Sequence, residues 1–255
     1  MYESEGDLYQ LIIQTMKLIA VTQRDIFIDE TEEQRDSIDK RWYDFFNKID
    51  LIPLLLPNNL ILAVELLNCC NVAGILLTGG GEISVLNGHV ANQLSEKSEP
   101  LIYKGSSSLK MVRNGDLRQS LNGSRKERER IEEYLIELSI KNKLPLLGVC
   151  RGMQKIQNYF GIKLQKVDGH VMDMQEIVVD GKKRVVNSYH KYGTTETNRY
   201  LSVLAKSYDG VVKAVNHQSY NISGIMWHPE RCQPFENEDI NFFKKFYASS
   251  DISGR

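Results

Sequence analysis

The chain has 255 residues with 32 Lys and Arg against 33 Asp and Glu, a net charge of −1, and 42% apolar residues. So balanced a charge excludes binding to nucleic acid or a membrane surface through a bulk positive field, and the composition excludes disordered and collagen-like chains. At this length one large α/β domain can bury its own core without metal or disulfide staples. Cys69, Cys70, Cys150 and Cys232 form no secretory disulfide pattern, which points to a reducing, cytoplasmic setting. The leading residues Met1–Asp7 are acidic where a signal peptide would be basic, and the longest apolar stretch, Leu51–Leu67, is broken by Pro53, Pro57, Asn58, Asn59 and Glu65. Neither a leader nor a membrane span is expected.

In chain order, Lys17–Thr22 is a short run with β-branched residues and predicts a first strand. Between Thr31 and Ile49 the apolar positions Ile38, Trp42, Phe45, Phe46 and Ile49 fall on one helical stripe, so a helix is predicted over that whole span. Leu54–Leu56 predicts a strand, Leu60–Asn68 a short helix, and Ala73–Thr78 a buried strand ending at Gly79, Gly80 and Gly81. Periodicity vanishes from Glu82 to Gly123, too long for an idle connection, so an insertion or lid is expected there. Ser124 and Glu127 form a capping box for a helix that buries Ile131, Tyr134, Leu135 and Leu138. Pro145–Val149 is the next strand, with Cys150 at its end. Short β-rich runs follow Gly161, and Asn237–Ala248 closes as an amphipathic helix. Strands alternating with helices predict an α/β fold: a single three-layer domain whose central, mostly parallel sheet is flanked by helices.

Gly148-Val149-Cys150-Arg151-Gly152 has the pattern of a nucleophile elbow, a strand turning sharply into a helix with the nucleophile at the tip. The helix start aims N–H groups and partial positive charge at the sulfur and favours the thiolate. A lone strand-end cysteine usually just packs; flanking glycines on both sides favour the reactive reading. A thiol nucleophile needs a base. His228 ends another apolar run, and Glu230, two residues on, can orient its imidazole. Acyl transfer also needs oxyanion donors, which the bare N–H groups after Thr78 and that of Arg151 can supply.

With Leu147–Gln154, Val186–His190 and Trp227–Glu230 in this order, the chain resembles the class I glutamine amidotransferase superfamily, in its γ-glutamyl hydrolase branch, over most of Leu18 to Trp227 and beyond. The resemblance implies a flavodoxin-like fold, Cys150, His228 and Glu230 as a catalytic triad, and Gln154 with Asn187, Ser188, Tyr189 and His190 around the glutamyl head group. The branch often places an acidic residue directly after a glycine pair; here Gly81 precedes Glu82, which leaves the oxyanion donor at Gly80 or Gly81. Within the branch, the opening Ile19–Arg24 and the two later motifs most resemble the γ-glutamyl-CDP-amidate hydrolases of capsule polysaccharide phosphoramidate synthesis. That resemblance implies cleavage to glutamate and cytidine diphosphoramidate. A general γ-glutamyl amine hydrolase and a glutaminase subunit serving a separate synthetase stay open as alternatives.

Between Lys97 and Arg128 eight basic residues stand against Glu99, Asp116 and Glu127, a local net charge of +5. They read either as a solvated face or as a phosphate-facing lid, in which Lys110, Arg113 and Arg118 are candidates to hold a diphosphate leaving group. His89, His170 and His217 lack metal-ligand spacing, so no metal site is expected, and the chemistry requires no cofactor. The expected partner is a small γ-glutamyl substrate, with no obligatory protein partner and the oligomeric state open.

Overall fold

A computed structural model of the chain describes residues 16–84 and 127–248. The Ser124 half of the capping box, most of the 82–123 insertion, and Lys110, Arg113 and Arg118 lie outside the described residues. The described chain builds a nine-stranded sheet in the order β4-β1-β5-β6-β13-β12-β11-β8-β9. One half is parallel: β4 (Leu51–Leu55), β1 (Lys17–Val21), β5 (Gly74–Leu77), β6 (Leu146–Val149) and β13 (Ile222–Ile225). From β13 onward the sheet continues antiparallel through β12 (Val212–His217), β11 (Leu201–Ser207), β8 (Val171–Val179) and β9 (Lys182–Tyr189). The central strands β5, β6 and β13 are buried along their whole length, as parallel strands covered on both faces must be. Pro53 lies in β4, at the sheet edge, where a missing N–H breaks no second ladder.

Helices α1 (Arg41–Lys48) and α5 (Asn237–Ala248) share an aromatic cluster in which Phe243 packs on Trp42 and Phe45. Helices α2 (Leu60–Cys69), α3 (Glu127–Asn142) and α4 (Arg151–Tyr159) pack in sequence against one another and on β5, β6 and β13. Sheet and helices make the three-layer α/β fold that the alternating pattern predicts. No helix among the described residues is long and apolar enough to cross a membrane.

One predicted helix is shorter than its apolar stripe suggested. Helix α1 begins at Arg41, and the preceding residues form a hairpin of β2 (Arg24–Ile28) and β3 (Glu33–Ser37). The physical reason is local: residues 30–37 carry no apolar side chain to anchor a helix to the core, whereas Trp42, Phe45, Phe46 and Ile49 are all buried. Asp39 then accepts from the backbone N–H of Arg41 at 3.1 Å and starts the helix there. The hairpin is pinned by Asp36, which accepts from the side chain and backbone N–H of Asn58.

Candidate active site

The turn from β6 into α4 holds Cys150 at φ 52° and ψ −105°, a backbone conformation that L side chains rarely adopt. Such strain persists only where the surroundings enforce it. Here Gly148 and Gly152 do so: a Cβ on Gly152 would lie 2.1 Å from the carbonyl oxygen of Leu77, and one on Gly148 would lie 2.5 Å from the backbone of Gly152. Strand, elbow and neighbouring β5 therefore meet at backbone contact. The N–H of Arg151, at the helix start, hydrogen-bonds the Cys150 sulfur.

His228 follows β13, the strand paired with β6, so both candidates emerge at the same edge of adjacent parallel strands. The imidazole is hydrogen-bonded to the Cys150 thiol, and its Nδ1 lies 2.7 Å from Glu230 Oε1. His228 and Glu230 are each 1% exposed. Burial pushes the Cys150 thiol up, but the charge and hydrogen bond of His228 outweigh it and the net displacement is downward. Burial lowers His228, and Cys150 together with Glu230 overrides it to about 9. Both displacements favour a thiolate–imidazolium pair at neutral pH. Gly79 packs beneath the pair, since a Cβ there would lie 2.7 Å from His228 Cε1 and 3.4 Å from Cys150 Cβ.

Cys150 and His228 open onto a cavity of about 390 Å³ whose wall includes Gly80, Gly81, Gln154, Tyr189 and His190. Gln154 Nε2 donates to the carbonyl of Tyr192 at 2.8 Å. Asn187 and Ser188 stand behind this wall. Asn187 clamps the backbone of His228 from both sides, accepting from its N–H and donating to its carbonyl at 2.7 Å each. Ser188 Oγ donates to the carbonyl of His170 at 2.9 Å.

Three features escape the sequence reading. Lys213, 1% exposed inside β12, donates to His190 Nε2 at 2.6 Å, His170 Nδ1 at 2.8 Å and Ser188 Oγ at 3.1 Å. Because an ammonium only donates, His190 Nε2 accepts and its Nδ1–H points at the carbonyl of Tyr192, 2.9 Å away. Burial and the Lys213 charge lower His190 to about 3, so a neutral, fixed ring faces the cavity. A lysine inside the apolar run Val211–Val215 was the available signal, since a buried cation demands partners. Among the described residues Arg24, Lys191 and Arg231 also line the cavity, against the one carboxylate of Glu82. Arg128, which closes the basic 97–128 segment, is 3% exposed and bonded to Glu132, so it belongs neither to a solvated face nor to a lid. Among the described residues no group of three or more His, Cys, Asp or Glu could hold a metal.

The array can do acyl transfer: a sulfur displaced toward the thiolate, an imidazole able to protonate a leaving group, and backbone N–H groups beside both. The Glutamine amidotransferase class-I family matches residues 119–248. The chain is 26% identical over 231 residues to the γ-glutamyl-CDP-amidate hydrolase of Campylobacter jejuni, covering 90% of this chain and 97% of that one. It is also 31% identical to the glutamine-hydrolyzing GMP synthase subunit of Pyrococcus abyssi, over 44% of this chain and 65% of that one. In fold it is similar to a solved structure described as a GMP synthase subunit from Thermoplasma acidophilum, with a TM-score of 0.59 and 14% identity over 92% of this chain and 94% of that one. With its family match spanning half of its length, the chain belongs to the class I glutamine amidotransferase family.

Proposed function

We propose that this glutamine amidotransferase-like hydrolase cleaves a γ-glutamyl amide through a thioester on Cys150, with γ-glutamyl-CDP-amidate as the substrate and glutamate and cytidine diphosphoramidate as products for capsule polysaccharide phosphoramidate synthesis. The observation that carries the chemistry is the buried Cys150–His228–Glu230 alignment behind an open cavity. The Cys150 thiolate attacks the γ-carbonyl carbon, and N–H groups of the glycine loop and Arg151 take the developing oxyanion. Protonated His228 delivers its proton to the leaving nitrogen as the C–N bond breaks. The neutral imidazole then removes a proton from water, hydroxide attacks the thioester, and the thiolate departs with glutamate free. Glu230 keeps the ring oriented and stabilises its charged form. Gln154 and the wall at Tyr189–His190 receive the glutamyl head group.

The leaving group is argued from charge and from the full-length similarity to the Campylobacter enzyme. Among the described residues three cations and one carboxylate line the cavity, and with Arg231 3.5 Å from Glu230, Arg24 and Lys191 are the cations that suit a diphosphate better than an amine leaving group. The test compares kcat/KM for γ-glutamyl-CDP-amidate, glutamine and γ-glutamyl-aminobutyrate. The CDP adduct is expected to be preferred, and Lys191→Ala to cost that substrate alone roughly tenfold, the effect of losing about 1.4 kcal/mol from one charged hydrogen bond. Equal rates on all three substrates would transfer the assignment to a general γ-glutamyl amine hydrolase.

A further inference from the structure

We infer that Arg128 and Glu132 act as positioning residues that hold the two halves of the oxyanion site in register. The inference rests on the acyl-transfer reading above. The glycine loop after β5 and the Arg151 turn before α4 come from segments of the chain about 70 residues apart; the pairing of β5 with β6 ends at Leu77 and Gly148, and past it Arg151 Nε lies 3.4 Å from the carbonyl of Glu82. A single buried cation reaches the first: Arg128 Nη2 donates to the carbonyl of Thr78 at 2.7 Å, and Nη1 to that of Gly80 at 2.7 Å. Nη2 also lies 3.2 Å from Thr78 Oγ1 and 3.4 Å from the carbonyl of Gly79.

In a trans peptide the carbonyl and the following N–H point to opposite sides. Fixing the carbonyls of Thr78 and Gly80 toward Arg128 therefore turns the N–H groups of Gly79 and Gly81 away from it. Gly81 lines the catalytic cavity and neither Gly79 nor Arg128 does, so of the two freed donors it is the N–H of Gly81 that is turned to the substrate side. The second half is tied to the same frame. Glu132, wholly buried, accepts from Arg128 Nε at 2.9 Å and from Arg151 Nη1 at 2.5 and 2.6 Å. Arg151 is also the residue whose backbone N–H meets Cys150. One carboxylate on α3 thus joins the cation that orients the glycine loop to the residue that offers the other donor. Oxyanion donors work only when their positions are set before charge develops, and a flexible glycine loop cannot set its own.

The experiment separates oxyanion stabilisation from thiolate reactivity. Alkylation of Cys150 by iodoacetamide develops no oxyanion, whereas acylation by a γ-glutamyl amide does. Arg128→Gln, Arg128→Lys and Glu132→Gln should each lower kcat about 30- to 300-fold, in the range seen when an oxyanion donor is lost, with KM within about threefold. Alkylation of Cys150 in the same preparations should stay within about twofold of wild type. Arg128→Lys retains the charge but lacks the planar fork that reaches the carbonyls of Thr78 and Gly80 and the carboxylate of Glu132 together, so a loss there reports geometry. Unchanged turnover in the Arg128 variants, or turnover and alkylation falling in step in all three variants, overturns the inference. Failure of the acyl-transfer reading would look different: the Cys150→Ala variant would turn over as fast as wild type.

Discussion

Replacing His228 with Asn tests the ion pair directly, because the causes acting on Cys150 can be separated by sign. In the wild-type site, burial and the Glu230 charge raise the thiol, while the charge and hydrogen bond of His228 and the N–H of Arg151 lower it, with a net downward result. His228→Asn removes the two leading downward causes and leaves burial and Glu230. The thiol should then titrate above its ordinary value of 9.0. The reciprocal measure of the same coupling is His228 itself, displaced from 6.5 to about 9, worth roughly 3 kcal/mol at about 1.4 kcal/mol per tenfold. The assay is the rate of Cys150 alkylation by iodoacetamide against pH, followed by mass spectrometry. At a pH below both inflections, the variant loses about tenfold in thiolate for each pH unit between them, and regains roughly threefold per unit because a more basic thiolate is the better nucleophile. The net loss should be about threefold per unit of separation. An inflection that stays where the wild type has it would refute the ion pair and the argument for a pre-ionised nucleophile.

Cys150→Ala should retain the fold and lose turnover by orders of magnitude, since members of a nucleophilic array act as a unit; product analysis by mass spectrometry checks it. Asn187→Ala, which removes both 2.7 Å bonds to the backbone of His228, should destabilise by about 1–3 kcal/mol in urea titration and lower kcat, because it leaves the buried N–H of His228 unpaired while the carbonyl keeps the N–H of Arg231. His228 is raised in the folded state, so its contribution to stability is complete below 6.5 and disappears as pH rises through about 9. Cys150, displaced downward from 9.0, contributes in the opposite sense over the same range, so the urea midpoint should change little across that window in wild type, and a steep fall would contradict the ion pair. Gly152→Ala should fail to fold at wild-type stability, because its Cβ would meet a backbone oxygen that cannot move aside.

Much of the fold was legible because buried parallel strands leave continuous apolar runs, as in β1, β5, β6 and β13, and because the closing helix carries its own periodicity. That Cys150, His228 and Glu230 come together was legible for a different reason: glycines on both sides of Cys150, and a carboxylate two residues past His228, are local patterns. The hairpin β2–β3 was not legible. Ile38 falls on the same stripe as Trp42 and Phe45, and nothing in the spacing reveals that only the C-terminal part of that stripe faces a core. Nor was the division of labour along Asn187–His190. The motif marks the segment, but whether a side chain faces the cavity or the strand behind it depends on His228 and Lys213, which lie more than twenty residues away.

Charge was the least legible property, for a physical reason. Sequence counting treats each Lys and Arg as a solvated unit, whereas Arg128, Arg151 and Lys213 are each 3% exposed or less and are defined by what they touch. Burial lowers Arg128 to about 10 and Lys213 to about 7, a cost that only specific acceptors offset. Those acceptors are the carbonyls of the glycine loop for Arg128 and the rings and hydroxyl of His170, His190 and Ser188 for Lys213. Each cation therefore stabilises backbone or side-chain positions at one wall of the cavity, Arg128 at the glycine loop and Lys213 behind His190. The sheet explains the pairing. Its parallel half delivers the elbow and the glycine loop, its antiparallel half delivers the Tyr189–His190 wall, and each has one of these buried cations behind it.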